Sequence, residues 1–207
     1  MPDKAFCLSC FKTFLPAPVR LLLEPEPLLC PECLAQIRSS LSWKKVGPVR
    51  VLFLGPYEGM MKDWLYRYKE QKDVALAPCF LSSFLPYLRL RFARSLFLSL
   101  PSSEARNQER GFVHLEEILR SSSLPFLRAF EKEGKEEQKS LGASERRQKK
   151  GICLLPEAGK EIEGKSVVLF DDVRTSGSTF LESYSALLPA HPAKVQGLIL
   201  MDHQDGP

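Results

Sequence analysis

The sequence predicts an α/β protein, a central and mainly parallel sheet flanked by helices, with a small cysteine-bound module in front of it. Three observations lead there. Strand-like apolar runs alternate with helix-periodic segments from Val49 onward. One of those runs, Val167–Phe170, leads directly into two adjacent aspartates and a Thr-Ser-Gly stretch. Four of the six cysteines fall into two C-x2-C pairs near the N-terminus.

The module comes first. "CLSC" supplies Cys7 and Cys10, "CPEC" supplies Cys30 and Cys33, and nineteen residues separate the pairs. Four thiolates at this spacing close a tetrahedron around a structural zinc ion, with no coordination position left for a substrate. Two hairpin-like turns would each supply two ligands, and Pro31 suits such a turn. The competing readings are disulfides or cysteines that no longer bind metal. Residues 1–40 have little core of their own, so the metal would carry much of their folding energy. Cys79 and Cys153 stand singly in apolar surroundings and read as packing residues. Residues 41–48, punctuated by Gly47-Pro48, read as a linker to a second domain over 49–207.

Within that domain "VRVLFLG" (Val49–Gly55) is a strand. Met60, Met61, Trp64, Leu65 and Tyr68 form one face of a helix over Gly59–Glu70. A second helix spans Ala75 to about Leu90. "SLFLSL" (Ser95–Leu100) is a strand stopped by Pro101, Gly111–Ser121 a helix, and Pro125–Phe130 a short strand. Residues 131–151 are charged and lack an apolar face, so they read as a flexible loop, functional or disordered. Val167–Phe170 belongs to a buried strand over Ser166–Asp171. A helix follows over Ser178–Leu188, with Thr179 and Glu182 at capping-box spacing. Lys194–Met201 is the last strand.

In an open parallel sheet, ligands bind at the carboxyl ends of the strands. Asp171 and Asp172 lie at such an end. The loop after them enters a helix N-terminus, whose free N–H groups and dipole favour phosphate. Gly177 permits close backbone approach, and Thr175, Ser176, Ser178 and Thr179 add hydroxyl donors. Carboxylates accept hydrogen bonds from sugar hydroxyls. The stretch therefore suits a ribose 5-phosphate, with the acids for the diol and the loop for the phosphate. Adjacent strand residues point to opposite faces, so both acids reach one ligand only if the strand has already turned.

"VVLFDDVRTSGST" resembles the phosphoribosyl-pyrophosphate (PRPP) motif of type I phosphoribosyltransferases, matching at every position from Val167 to Thr179, with Arg174 at its variable position. The four-cysteine module ahead of it makes the whole chain resemble the ComF (ComFC-like) family of bacterial competence proteins. "YEGMMKDWLYRYKEQKD" resembles that family's Y-x-G-x-M-K segment through Tyr57, Gly59, Met61 and Lys62, followed by Lys69 and Asp73. Arg110, Gly111 and Phe112 resemble its basic loop. Gln138, Leu141 and Arg146 resemble a third segment. The chain departs from the family where "LSLPSSEARNQ" replaces V-P-V-P, only Pro101 keeping its place, and where Val113-His114 follow Gly-Phe.

The resemblance implies a type I phosphoribosyltransferase fold with an N-terminal zinc-ribbon-like module. It also implies binding of PRPP or a related ribose phosphate. Asp171, Asp172, Thr175, Ser176, Gly177, Ser178 and Thr179 would hold the ribose and 5-phosphate. Asp171, Asp172 and Arg110 would be the catalytic set if the chain is active. Attack at C1 would expel pyrophosphate, which needs cations: Mg2+ with the PRPP, and Arg106, Arg110 and, from the 131–151 loop, Arg146. The implied role is support of DNA uptake in natural transformation, with single-stranded DNA and a helicase-type competence protein as partners. Two alternatives are an active phosphoribosyltransferase of nucleotide salvage and a non-catalytic adaptor working through its zinc module.

Composition bounds these readings. The net charge of +4 is compatible with a polyanionic partner without requiring one. No run approaches the roughly 18 apolar residues of a membrane span, and the N-terminus lacks the apolar core of a secretion signal. The expected location is the cytoplasm, where paired cysteines bind metal more often than they form disulfides. His114, His191 and His203 are scattered and read as structural or surface residues. Trp64, Tyr66 and Tyr68 could stack on a base, but their helical spacing reads as core packing.

Overall fold

The computed structural model describes residues 4–17, 27–37, 39–132 and 151–203. The N-terminal part is a hairpin, β1 (Ala5–Phe6) with β2 (Thr13–Phe14), and a short helix α1 (Pro31–Ala35). Next come β3 (Ser42–Val46), β4 (Val49–Pro56), α2 (Gly59–Glu70), α3 (Cys79–Ser82), α4 (Leu85–Arg91) and β5 (Ser95–Ser99). They are followed by α5 (Glu104–Arg110), α6 (His114–Ser121), β6 (Phe126–Leu127), β7 (Phe130–Lys132) and β8 (Ile152–Leu154). The chain closes with α7 (Pro156–Ile162), β9 (Ser166–Arg174), α8 (Ser178–Leu187) and β10 (Lys194–Asp202).

Among the described residues, six strands form one sheet in the order β3-β4-β10-β9-β5-β6. Every pairing in it is parallel except β3 with β4. The expected α/β class with a mainly parallel sheet is what the chain adopts. Parallel strands are covered on both faces, which is why Val167–Phe170 can be continuously apolar and fully buried. The sheet's two faces separate cleanly around β9. Gly197 in β10 lies under Phe180 of α8, and a Cβ there would sit 2.7 Å from the Phe180 ring, so glycine lets α8 lie close on that face. α2 and α6 serve the other face, where Lys69 and His114 reach β9.

Several boundaries differ from the sequence expectation. Residues 41–48 are not a linker: Ser42–Val46 is the antiparallel edge strand of the main sheet, and Gly47-Pro48 closes a two-residue hairpin, Val46 pairing with Val49. Gly47, with φ of +57, occupies the first turn position, which tight hairpins reserve for residues tolerant of positive φ. The expected helix over Ala75–Leu90 is broken into a 3-10 turn, α3 and α4. Pro78 and Pro86 explain the breaks, because proline removes an N–H and is tolerated only in a helix's first turn. The expected strand over 125–130 divides into β6 in the main sheet and β7, which pairs antiparallel with β8. Of the expected 131–151 loop, Glu131 and Lys132 belong to β7, and residues 133–150, with Arg146, Gln138 and Leu141, lie outside the described residues.

The N-terminal part is not a separate body. Cys7, Leu29, Cys30 and Cys33 belong to the same continuous core as Phe53, Trp64 and Phe170. Trp64 Nε1 donates to Ser9 Oγ at 2.8 Å, and Arg67 donates to the Ser9 carbonyl at 2.9 Å, fixing the Cys7–Cys10 turn onto α2. Among the described residues, no helix is long and apolar enough to cross a membrane.

Candidate functional site

β9 runs through Asp171 and Asp172 to Arg174 rather than ending at Asp171. An uninterrupted strand must send the two acids to opposite faces. Asp171 faces the α8 side. There it lines a cleft of about 80 Å³ together with Thr175, Ser176, Gly177, Ser178 and Thr179. Its Oδ1 accepts a hydrogen bond from the Asp172 N–H at 2.9 Å. Burial, then the charge of Asp172, pushes the Asp171 carboxyl up to about 7.

The floor of the cleft is the start of α8. Gly177 is its N-cap at φ +76, and a Cβ there would be 3.3 Å from Val46 Cγ1, so conformation and space both call for glycine. No side chain caps this helix, and Thr179 lies within its first turn, so the expected Thr179–Glu182 capping box does not form. Beyond the Ser178 N–H, the first-turn N–H groups face no capping side chain and can take a ligand. Ser176 Oγ lies 3.0 Å from Ser178 Oγ and accepts from the Ser178 N–H at 3.3 Å, which gathers two hydroxyls at the helix start.

Asp172, only 6% exposed, is held on the opposite face by side chains of two helices. Lys69 of α2 pairs with its Oδ2, and His114 Nε2 of α6 lies 2.8 Å from the same atom. The Lys69 contact is an ion pair and the His114 contact a close approach, neither being a well-aligned hydrogen bond. On its other side His114 Nδ1 lies 3.2 Å from Arg110 Nη1. A guanidinium can only donate, so Nδ1 is the acceptor and Nε2 carries the proton that faces Asp172. Burial lowers the His114 pKa, which keeps this neutral tautomer. Burial would raise Asp172, but Lys69 first and then His114 outweigh it and hold its carboxyl well below the usual range. Arg110 Nε also donates to the Lys69 carbonyl at 3.1 Å, closing a ring of contacts. Tyr68, buried between Phe80 and Phe112, donates its hydroxyl to the His114 carbonyl at 2.8 Å.

A second charged group stands at the strand ends. Arg174 makes two hydrogen bonds to Asp202, at 2.8 and 2.6 Å, and Lys44 joins Asp202 at 2.9 Å. Asp202 is 2% exposed, so the doubled cation is what makes its burial tolerable. Sequence reading assigned Asp202 no part. Its partner Arg174 is 28 residues away, and only the β9–β10 register brings them face to face.

Of the residues expected near a leaving group, the described ones are Arg106 and Arg110, four residues apart on α5. Arg106 is exposed on α5, Arg110 is turned to His114 and Lys69, and Arg146 lies outside the described residues. Beyond β5 there is a cleft of about 160 Å³ lined by Ser99–Ser102 and Asn107. Its charged groups are Glu104, Glu116 and Glu131 with Arg128 and Lys132.

No family model matches the chain. Over 185 residues it is 28% identical to the competence protein ComFC of Streptococcus pneumoniae (strain ATCC BAA-255 / R6), covering 86% of this chain and 78% of that one. It is also 28% identical to the competence protein ComFC of Bacillus subtilis (strain 168) over 193 residues, covering 86% of this chain and 75% of that one. Over most of its length the chain is similar to the competence protein ComFC of two bacteria. Solved structures similar to this chain include a hypoxanthine phosphoribosyltransferase of Staphylococcus aureus. That match has 10% identity and a TM-score of 0.40, and covers 63% of this chain and 64%, just under two thirds, of that one. Another is the enzyme of Trypanosoma cruzi, at 12% identity, 67% and 71% coverage and a TM-score of 0.39.

The chain also carries the four-cysteine cluster the sequence anticipated. The sulfurs of Cys7, Cys10, Cys30 and Cys33 all lie within 4.8 Å of one another. Tetrahedral zinc with Zn–S bonds near 2.3 Å sets sulfurs about 3.8 Å apart, and Cys10 Sγ lies 3.7 Å from Cys30 Sγ. The residues therefore fit a zinc ion. The first pair sits on the β1–β2 turn. The second sits on a helix start rather than a hairpin: Cys30 caps α1, and Pro31 takes the early position where a missing N–H costs nothing. Burial pushes the Cys30 and Cys33 thiols up, so a cation would be needed to ionise them. Burial also raises Cys7, but backbone N–H groups of Cys30, Cys10 and Ser9 outweigh it and bring the thiol down to about 7. Of the single cysteines, Cys79 is buried as expected, whereas Cys153 is only half-buried, beside Glu131.

Proposed function

We propose that the chain is a phosphoribosyltransferase-like protein of DNA uptake that holds PRPP or a related ribose 5-phosphate in the Asp171–Thr179 cleft. One observation carries this reading: a carboxylate, Asp171, and an uncapped helix start, Gly177–Thr179, line the same cleft at the carboxyl end of the central strands. That pairing suits a sugar hydroxyl at one end and a phosphate at the other. The role in DNA uptake is supported by the names of the curated relatives.

The site favours holding the ligand over transferring it. Pyrophosphate leaving from C1 needs cations, yet the cleft beyond β5 carries three carboxylates against two cations, and Arg110 is engaged elsewhere. A catalytic set of Asp171, Asp172 and Arg110 with Mg2+ belongs to the alternative of an active transferase. PRPP with Mg2+ should raise the melting temperature of the zinc-loaded chain. Asp171→Asn should abolish that shift, and pyrophosphate release with a panel of bases should stay at background. Turnover would favour salvage, and no binding at all would overturn the reading.

Single-stranded DNA as a partner is favoured by a separate feature. Residues 39–57 and 74–103 contain no Asp or Glu. The fold joins these two stretches at Trp43, with the guanidiniums of Arg50 and Arg91 at 5.2 and 4.8 Å from its ring. Lys45, Arg89 and Arg94 are exposed beside them in sequence. Binding to phosphates here would weaken steeply with salt. A charge-reversed Arg50→Glu, Arg91→Glu variant that still bound an oligonucleotide normally at low salt would contradict it.

A further inference from the structure

We infer that Arg174 and Asp202 are positioning residues: their buried ion pair pins the loop over residues 175–177 in the form that takes a phosphate. This rests on the ribose-phosphate reading above and deepens it, by naming what holds the site in shape.

Arg174 is the last residue of β9, and the loop that lines the cleft begins at the next residue. It stands where the PRPP motif accepts any residue, so the motif itself gives it no task. A loop leaving a strand can swing unless its point of departure is fixed. Here that point is fixed twice. The guanidinium makes two hydrogen bonds to Asp202 of β10, at 2.8 and 2.6 Å. The Arg174 carbonyl accepts the N–H of His203, the residue after Asp202, at 3.2 Å. Side chain and main chain are both tied to the end of β10. A forked guanidinium on a carboxylate sets orientation as well as distance. The same guanidinium lies 4.7 Å from the Phe53 ring of β4, and Lys44 of β3 reaches Asp202 at 2.9 Å. The cluster therefore joins β3, β4, β10 and β9, which are neighbours in the sheet. The Arg174 and Asp202 side chains are 11% and 2% exposed, so water and salt screen the pair little.

The far end of the loop is held as well. Gly177 packs so closely on Val46 of β3 that a Cβ would lie 3.3 Å from Cγ1. Only Thr175 and Ser176 lie between the two anchors. Their ordering then happens on folding and is not charged against ligand binding. Fixing one residue's backbone is worth about tenfold in an equilibrium constant. Releasing these two should weaken binding by roughly ten- to hundredfold.

The test titrates ribose 5-phosphate calorimetrically into the full, zinc-loaded chain and its variants. Arg174→Gln and Asp202→Asn should each raise Kd by roughly ten- to hundredfold. The double variant should be at most about threefold weaker than the worse single one, because each removes the same pin. Arg174→Lys keeps a cation beside Asp202 and so guards against misfolding, yet it loses the fork and should still weaken binding by roughly tenfold. Amide exchange at residues 175–178 should quicken in the ligand-free variants while Val167–Phe170 stays protected. Faster exchange in both segments would mean general loosening and would overturn the positioning role. So would an unchanged Kd with a lowered melting temperature, which would leave the pair as a packing contact. Tighter binding in Asp202→Asn with loss in Arg174→Gln would make Arg174 a direct phosphate ligand, and would overturn it too. The ribose-phosphate reading survives each of these results. Failure of the parent chain to bind ribose 5-phosphate would overturn both.

Discussion

Replacing Lys69 with Met should destabilise the chain by leaving Asp172 as a poorly compensated buried charge. Breaking a buried ion pair by removing one partner costs about 3–5 kcal/mol. Lys69 is 22% exposed and the His114 N–H stays in place, so the lower end applies, about 3 kcal/mol. Asp172→Asn removes the charge but leaves Lys69 able to reach water, for roughly 1–2 kcal/mol. With both replaced no buried charge remains, so the double variant should cost less than the sum, with a coupling of about 2 kcal/mol. Urea unfolding of the four proteins at pH 7.5 with zinc held constant measures this. For a chain of this size an m-value near 3 kcal/mol/M makes the Lys69→Met shift about 1 M in midpoint. Costs that add within about 0.5 kcal/mol would refute the network as a coupled unit.

Two other outcomes follow from the same geometry. Asp171 has a folded pKa of about 7 against an ordinary 3.8, so the folded chain binds its proton more tightly than the unfolded chain does. Its stabilising contribution is full below pH 4 and lost as pH rises to 7, the reverse of Asp172, whose depressed pKa contributes above pH 4 and is lost only in stronger acid. Asp171→Asn should therefore gain stability over the parent between pH 4 and 7, by on the order of 1–3 kcal/mol, and a pH-independent difference would contradict this. Cys30→Ser should lose bound zinc. Because the module shares the main core through Ser9 and Trp64, it should also lower the melting temperature of the whole chain by roughly 5–10 °C. Unchanged zinc content would refute the ligand set, and melting confined to the N-terminal part would refute the shared core.

What was legible in the sequence was what is local. The acid pair, Gly177 and the helix start lie within one short stretch, and their chemistry could be read directly. The cysteine spacing was equally self-contained. What was not legible depends on pairings across the chain. That β9 continues to Arg174, which separates Asp171 from Asp172, follows from its pairing with β10 out to Asp202. His114 looked like an isolated histidine, since its partners come from α2, α5 and β9. The one local trace was the i, i+4 spacing from Arg110, which places the two on neighbouring turns. β3 was missed because "SWKKV" is an amphipathic edge strand with lysines on it, a composition that serves equally well for a linker or a protected edge.

The most direct test of the account is the melting temperature of the zinc-loaded chain with and without PRPP and Mg2+. At a hundredfold excess over Kd, binding adds about 2.7 kcal/mol, or roughly 5–10 °C. The account predicts a rise of that size in the parent and none in Asp171→Asn. No rise in the parent at millimolar PRPP, or a full rise retained in Asp171→Asn, would contradict it.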